Sequence, residues 1–152
     1  MILNIRPAVI SQIGEIIAAY ASSLGATAED CAVSAEYFAK SIESALLTAV
    51  ITCDRVVRGV VVCESSPIPE GCEIISVNIA EEYKGKGFGR KLLFFALREM
   101  RAMGCKSAFL WVKEGSTAAE RFVRKIGFVP DGKLRASGER NGSCELRYRI
   151  DI

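Results

Sequence analysis

The segment that most constrains this chain is a glycine-rich turn, Lys84–Gly89, which separates two apolar patterns of different period. Before the turn, Cys72–Ile79 is a nearly continuous run of apolar residues, as is typical of a central strand. After it, Arg90–Met103 repeats apolar residues three and four positions apart, with basic residues on the opposite face and Gly104 as a stop. The sequence therefore predicts a strand that leads through a tight turn into an amphipathic helix.

This glycine turn has the chemistry of an anion site. Glycines let a ligand approach the main chain closely, and a helix start offers unpaired N–H groups together with the positive end of the helix dipole. The glycines are Gly85, Gly87 and Gly89, and the nearby cations are Lys84, Lys86 and Arg90. The combination predicts a phosphate ligand, and a turn that only caps the helix, with solvated lysines, is the alternative.

The spacing excludes two familiar phosphate-binding loops. A dinucleotide fingerprint that starts at Gly85 needs glycine where Arg90 stands, and one that starts at Gly87 needs glycine where Leu92 stands. A P-loop needs a glycine, four spacer residues and then Gly-Lys followed by Ser or Thr. Neither that glycine spacing nor the hydroxyl residue is present at this turn. The prediction of a phosphate site thus depends on the helix start and its charge.

The remaining patterns predict the order of the elements. Strands are expected at 2–6, 46–53, 56–63, 72–79, 108–112, from 128 onward and at 144–152, and helices at 9–24, 28–43, 90–103 and 116–126. Asp54-Arg55 joins two strands as a hairpin turn that lacks the usual glycine. This order predicts an α/β (α+β) protein with a mixed central sheet, in one domain over residues 1–152, and not a repeating βαβ array.

Composition limits the chemistry. The 152 residues contain no histidine, which removes the commonest general base and metal ligand, and we expect no metal site. Six scattered cysteines without a CxxC pair are typical of small buried hydrophobic residues in a reducing compartment, rather than of disulfides or a zinc site.

Charge and hydropathy limit the partners. The net charge is only +2, and the basic residues of 84–101 alternate with an apolar face, so we expect no nucleic-acid partner. The chain starts without a signal-peptide pattern, and no apolar run reaches membrane-spanning length. We therefore expect no membrane partner and a cytoplasmic location.

Two signatures resemble the GNAT superfamily of acyl-CoA-dependent N-acyltransferases. The family's pyrophosphate motif, Gln/Arg-x-x-Gly-x-Gly/Ala at a strand-to-helix junction, is matched by Lys84–Gly89 except for lysine in first place. The stretch Ser116–Phe128 is similar to the second signature, roughly Asn-x-x-Ala-x-x-x-Tyr-x-x-x-Gly-Phe. The resemblance implies the GNAT fold, with six to seven strands, about four flanking helices, and a bulged fourth strand that splays from its neighbour.

The resemblance also implies a cofactor site. The amides of the glycine turn would hold the pyrophosphate of acetyl-CoA, or of another acyl-CoA, and the end of the fourth strand would pair with the pantetheine arm. Ser116 stands where many relatives have an asparagine that contacts this arm. The implied cofactor-binding residues are Val77, Asn78, Ile79, Lys84, Gly85, Lys86, Gly87, Phe88, Gly89, Arg90 and Ser116.

Two residues are implied in the chemistry. Glu73 stands where histone-acetylating relatives place a base glutamate, with a solvated edge glutamate as the alternative, and the N–H of Val77 would stabilise the oxyanion. Many relatives protonate the leaving sulfur with a tyrosine, but that position is Val123 here, and valine cannot donate a proton. Water, Tyr83 or Tyr148 are the alternative proton sources, although we favour a core or edge role for Tyr148.

The implied function is direct transfer of an acetyl group to a primary amine of a small molecule or a protein. Because the usual acid is missing, an acyl-CoA-binding sensor with weak or no catalysis is the alternative.

Other residues and the assembly are assigned as follows. Because the chain has no histidine to activate a cysteine, a covalent acyl-cysteine is not expected. Trp111 is assigned to the core. The acceptor would lie among the first two helices, loop 65–71 and hairpin 132–142, where Arg135, Glu139 and Arg140 are candidate exposed residues. Dimers are common among relatives, so a homodimer is one expected assembly.

Overall fold

The computed structural model describes residues 1–31, 35–138 and 142–152. The strands are β1 (Leu3–Pro7), β2 (Leu47–Cys53), β3 (Val56–Ser65), β4 (Gly71–Ile79), β5 (Ser107–Lys113), β6 (Val129–Ala136) and β7 (Cys144–Asp151). The helices are α1 (Ile13–Ser23), α2 (Ala35–Ser44), α3 (Phe88–Ala102) and α4 (Thr117–Ile126), and short 3-10 turns lie at Ile10–Gln12 and Glu81–Tyr83. The element order expected from the sequence is confirmed.

All seven strands form one mixed sheet in the order β1-β2-β3-β4-β5-β7-β6. The β4–β5 pair is parallel and the other neighbours are antiparallel. Because β4 and β5 run in the same direction, both end at the same edge of the sheet, and each is followed there by a helix, α3 or α4. The sheet therefore brings two helix N-termini to one edge.

The β2–β3 hairpin turn forms without glycine. Asp54 and Arg55 both adopt left-handed backbone angles, with φ of 50° and 73°. Asp54 is held by Ile2, whose N–H donates to Asp54 Oδ1 (2.8 Å) and whose C=O accepts from the Asp54 N–H (2.9 Å). The first of these bonds lowers the pKa of Asp54. These contacts to Ile2, the residue before β1, help to hold a turn for which asparagine or glycine is usual.

Each face of the sheet is covered by helices. On one face α3 buries six residues against the sheet, and α4 adds Val123; the six are Phe88, Leu92, Leu93, Ala96, Leu97 and Met100. On the other face Ile16 of α1 and Phe38 of α2 pack on the valines of β2 and β3. Each large apolar side chain buried in this way contributes about 1.5–3 kcal/mol.

Several details differ from the sequence-based expectations. Helix α3 begins inside the glycine turn, at Phe88, and Met103 is 50% exposed rather than part of the apolar face because the helix ends at Ala102. The second helix was expected from residue 28, but 28–30 form a turn and α2 begins at Ala35. Glu139 and Arg140 lie outside the described residues.

Two aromatic side chains, Tyr148 and Trp111, differ in how deeply they are buried. Tyr148 is fully buried, as expected, whereas Trp111 is only half-buried, so the assignment of Trp111 to the core is wrong.

In the described part of the chain, no helix is both long and apolar enough to cross a membrane.

Candidate active site

The site is a gap between β4 and β5. These two strands pair only over Gly71–Glu73 and Ser107–Phe109, whereas β4 stays paired with β3 as far as Ile79. Beyond Glu73 the two parallel strands diverge toward the edge that carries the N-termini of α3 and α4. The splayed fourth strand expected from the sequence is thus confirmed.

A bulge in β4 lies where the gap opens. The register against β3 passes from Ile74 to Ser76 within one step, which leaves Ile75 without a partner and 42% exposed. Side chains alternate along a strand, so one extra residue shifts the alternation. As a result Ile74 before the bulge and Val77 and Ile79 after it all face α3.

The main-chain groups after the bulge alternate between β3 and the gap. Ala80 donates its N–H to the Arg58 carbonyl (2.8 Å), so in an antiparallel ladder Asn78 also bonds to β3, whereas Val77 and Ile79 direct their N–H and C=O groups into the gap. The Asn78 side chain donates its Nδ2 to Ser23 Oγ (3.0 Å). The gap is therefore lined by main-chain donors and acceptors that no neighbouring strand uses.

The glycine turn continues this line of free donors. Gly85 and Gly87 are left-handed, with φ of 75° and 85°, and Gly87 is the N-cap of α3. The first helical bond runs from Lys91 N–H to Gly87 C=O (3.1 Å), and the N–H groups of 85–90 have no acceptor among the described residues. A Cβ built on Gly85 or Gly87 meets no atom within 4 Å. The turn is thus open to solvent and presents several free main-chain donors, an arrangement suited to an anion.

The side chains of the turn are placed differently from one another. The Lys84 ammonium contacts the Ser23 carbonyl and the Glu81 carboxylate, each at 2.7 Å, so it is tied to α1 rather than aimed at the helix start. Lys86 is exposed, with its ammonium 5.4 Å from the Tyr83 ring centre. The Phe88 ring is buried beneath the turn, so this residue offers a ligand only its main chain.

Helix α4 begins beside α3 at the other side of the gap. Ser116 is its N-cap, half-buried, and its side chain makes no capping bond. Six residues further along, Phe122 packs against the first turn of α3, where its Cζ is 3.4 Å from a Cβ built on Gly89. The N-termini of α3 and α4 thus lie close enough for a Cβ at position 89 to be in ordinary van der Waals contact with Phe122.

Glu73 lies where β4 and β5 part. Its Oε1 accepts a hydrogen bond from the indole Nε1 of Trp111 (3.1 Å), and the carboxylate is half-buried. Strand alternation places Phe109 and Trp111 on the same face as Glu73, opposite Leu110 and Val112. This alternation is visible in the sequence and could have identified Trp111 as a site residue.

The position that carries a tyrosine in many relatives is a buried valine in this chain. Val123 is 5% exposed and packs in the core of the α3–α4 face. Tyr148 lies in the same core, and its hydroxyl has no hydrogen-bond partner among the described residues. The Arg124 guanidinium lies 5.5 Å from the Tyr148 ring centre. Helix α4 thus offers no acidic group at position 123.

The cysteines of this region are buried, neutral thiols. Burial, followed by the nearby Cys105, raises the pKa of Cys63 to about 12, and burial also raises the pKa of Cys72, which donates to the Ser107 carbonyl (3.4 Å). A thiol with a raised pKa is a poor nucleophile. Within the described ranges, no three Cys, Asp or Glu side chains form a group that could hold a metal ion.

Part of the chain is similar in sequence to a known acetyltransferase. Over 61 residues the chain is 38% identical to mycothiol acetyltransferase of Corynebacterium glutamicum, a match that covers 40% of this chain and 21% of that protein. The chain therefore spans about a fifth of the length of this relative.

Two solved structures have the same fold. One is the ribosomal-protein-S18-alanine N-acetyltransferase from Escherichia coli, with a TM-score of 0.80, 17% identity, and coverage of 99% of this chain and 94% of that one. The other is PaiA N-acetyltransferase from Thermoplasma acidophilum in complex with coenzyme A, with a TM-score of 0.79, 18% identity, and coverage of 99% and 100%. At residues 15–128 the chain matches the model of the acetyltransferase (GNAT) family, and it belongs to that family.

Proposed function

We propose that residues 1–152 act as a single domain that transfers an acetyl group from acetyl-CoA to a primary amine by direct attack. The observation that carries this proposal is the gap between β4 and β5, whose unpaired main-chain donors run from Val77 to the N-terminus of α3. The family uses acetyl-CoA, and one solved relative of the same fold holds coenzyme A.

In this proposal the main chain binds the coenzyme. The N–H groups of 85–90 hold the pyrophosphate, helped by the dipole of α3 and by the charge of Lys86 and Arg90. Val77 and Ile79 pair with the amides of the pantetheine arm as a partner strand does, and the unbonded Ser116 side chain contacts the arm from the α4 side. Lys84 and Asn78 support the site indirectly, because both are tied to Ser23 of α1.

The reaction needs one new bond and one broken bond. The amine nitrogen attacks the thioester carbonyl, the N–C bond forms, the C–S bond breaks, and the coenzyme leaves as a thiolate. Glu73 takes the proton that the amine loses, and the Val77 N–H stabilises the oxyanion that develops on the carbonyl oxygen. A thiolate whose conjugate acid has a pKa of about 8.5 leaves at neutral pH without a dedicated acid, so Val123 does not block this route.

The test is turnover, measured as free coenzyme thiol over a panel of amines. Glu73→Gln is expected to lower kcat/KM about 10²- to 10⁴-fold, as loss of a general base does. Glu64→Gln is the matched control, because Glu64 lies opposite Glu73 on β3 and is exposed. Equal activity of Glu73→Gln and wild type across the pH range would reject Glu73 as the base.

Burial of Val123 favours a second candidate function, a sensor that binds acyl-CoA with weak or no catalysis. Saturating acetyl-CoA raises the melting temperature under either function, because it binds only the folded state. A rise in melting temperature without turnover of any amine supports the sensor. The homodimer, the cytoplasmic location and the lack of nucleic-acid, membrane and metal partners stay predictions.

A further inference from the structure

One side of the sheet, away from α3 and α4, carries an aromatic and cationic surface. There α1 packs on β3 and β4 and α2 packs on β2, whereas β5, β7 and β6 are covered by their own side chains. The strand register places Phe109 opposite Arg149 and Trp111 opposite Arg147. Phe109 is buried beneath the guanidinium groups of Arg147 and Arg149, which lie 4.7 and 5.5 Å from its ring centre. We call the surface formed by Phe109, Trp111, Arg135, Arg147 and Arg149 the arginine face.

The arginine face reaches the proposed base. Glu73 Oε1 accepts a hydrogen bond from the indole Nε1 of Trp111 (3.1 Å), and the Arg135 guanidinium lies over the same indole, 4.2 Å from the ring centre. In the strand register Trp111 and Arg135 both lie beyond the level of Glu73, toward the open gap between β4 and β5. One indole ring therefore separates a carboxylate from a guanidinium at the place where the gap opens.

The arginine face can bind an added anion but offers few carboxylates to an added cation. All three carboxylates of β6 and β7 are paired with its arginines: Asp131 with Arg147 (2.7 Å), Glu145 with Arg135 (2.8 Å) and Asp151 with Arg149 (3.0 Å). Glu73 has no cationic partner among the described residues. A guanidinium has five N–H donors, of which one carboxylate uses two in a bidentate pair, so the half-exposed Arg135 keeps donors for a ligand. A compound with one amine and one carboxylate thus finds a partner for each charge.

We propose that the acceptor is a free amino acid, whose carboxylate is bound by Arg135 while its amine faces Glu73. The inference rests on the proposed function, because Glu73 must take the proton that the amine loses. Hydrogen bonds of about 2.8 Å at each end let a molecule with closely spaced amine and carboxylate groups span one indole ring. The carboxylate contact also orients the amine for attack, because it fixes the far end of a small molecule.

The chain provides a matched control for Arg135 on the same face. The side chains of Arg135 and Arg149 are 48% and 47% exposed, each donates its Nε to a carboxylate, and each lies over an aromatic ring. Arg149 is opposite Phe109, where β4 and β5 are still paired, whereas Arg135 lies beyond Trp111 where the strands have parted. Comparison of the two arginines therefore separates contact with the acceptor from loss of a surface ion pair.

Kinetics with the standard L-amino acids and with their carboxamides test the inference. A carboxamide keeps the amine and the side chain but lacks the negative charge, so wild type should have a kcat/KM at least about tenfold higher for the best amino acid than for its carboxamide. The amine of a carboxamide is the less basic of the two, so a larger fraction of free amine cannot explain this preference.

Variants assign the preference to one side chain. Arg135→Gln should raise the KM of that amino acid about tenfold and leave its kcat and the kinetics of the carboxamide unchanged. Arg135→Lys keeps the charge without the planar fork and should give an intermediate KM. Arg149→Gln should retain the wild-type preference.

Three results would overturn the inference. The first is that wild type acetylates carboxamides as well as it acetylates amino acids. The second is that Arg135→Gln lowers kcat for both compounds alike, as it would if Arg135 only supported Trp111 and Glu73. The third is that Arg149→Gln raises the KM of the amino acid as much as Arg135→Gln does. If wild type acetylates an amine and any of these results is found, only the acceptor class fails. If wild type acetylates no amine at all, the proposed function fails with it.

Discussion

The two ends of β4 differ in how their main-chain groups are used. At the closed end, Gly71–Glu73, the strand has β3 on one side and β5 on the other. At the open end, Val77–Ile79, it keeps β3 but has lost β5. The same strand is thus paired on both sides at its closed end and on one side at its open end. The main-chain groups of β4 that can bind an extended ligand lie at the open end.

Different contacts hold each end in its state. At the closed end a further main-chain bond precedes the paired residues, since the Glu70 carbonyl accepts from Lys106 N–H (2.7 Å). The buried Cys72 thiol also donates to the Ser107 carbonyl there. At the open end the Ile75 bulge bends β4, and Phe122 of α4 packs on the first turn of α3. A buried main-chain group left without a partner costs about 1–3 kcal/mol, so solvent or a ligand must satisfy the open end.

Amide hydrogen exchange should show the largest difference between the two ends. The N–H groups of Val77 and Ile79 point into the gap, so they should exchange at least about 10³-fold faster than the N–H of Asn78, which is bonded to β3. Saturating acetyl-CoA should slow the first two selectively. Equal protection of all three amides in the free protein would contradict the assigned alternation.

Removal of one donor at the open end should have the next largest effect. Val77→Pro deletes the N–H proposed to stabilise the oxyanion, so kcat should fall about 10²- to 10³-fold. Val77→Ala keeps the N–H and should retain most of the activity. Kinetics with saturating acetyl-CoA measure both.

A proline one position later separates catalysis from folding. Asn78→Pro removes an N–H from the ladder with β3 and should cost about 3 kcal/mol in the free energy of unfolding. Val77→Pro should cost less, because no strand uses its N–H. If urea unfolding shows the two variants to be equally destabilised, the distinction between the two directions is wrong.

The order of the strands and helices and the buried face of α3 were predictable from the sequence, because local patterns determine them. Apolar period and turn residues gave the seven strands and four helices in order, including the Asp54-Arg55 hairpin without glycine. The buried face of α3 followed from its period, apart from Met103 at the helix end. The splay of β4 came from the family resemblance and not from any periodicity.

The open end was predictable in its main chain and not in its side chains. Glycine spacing indicated free N–H groups around Gly87, and the structure has them. That Lys84 is held by Ser23 depends on a contact across 61 residues of sequence, which no local pattern encodes. The bond between Glu73 and Trp111 likewise needs the register of two parallel strands.

A methyl group on the N-cap glycine should have a moderate effect. Gly87→Ala forces a left-handed residue to carry a Cβ, at about 1–2 kcal/mol, and should weaken acetyl-CoA binding about tenfold as the turn rearranges. Gly104→Ala is the matched control, since Gly104 also has positive φ (101°) and open space around its Cβ position. It should lose similar stability and bind acetyl-CoA normally. Equal weakening in both variants would place the effect in helix stability instead.

The smallest expected effect lies where the closed and open ends meet. Trp111→Phe keeps a ring beneath the Arg135 guanidinium, 4.2 Å from the ring centre, but removes the N–H that positions Glu73. A hydrogen bond of about 1 kcal/mol corresponds to a decrease in kcat of about fivefold, with an unchanged KM for acetyl-CoA. In a Glu73→Gln background the same substitution should have no further effect, since the two residues act through one contact. If the two substitutions are instead multiplicative, Trp111 acts independently of Glu73, and the point where the strands part contributes only packing.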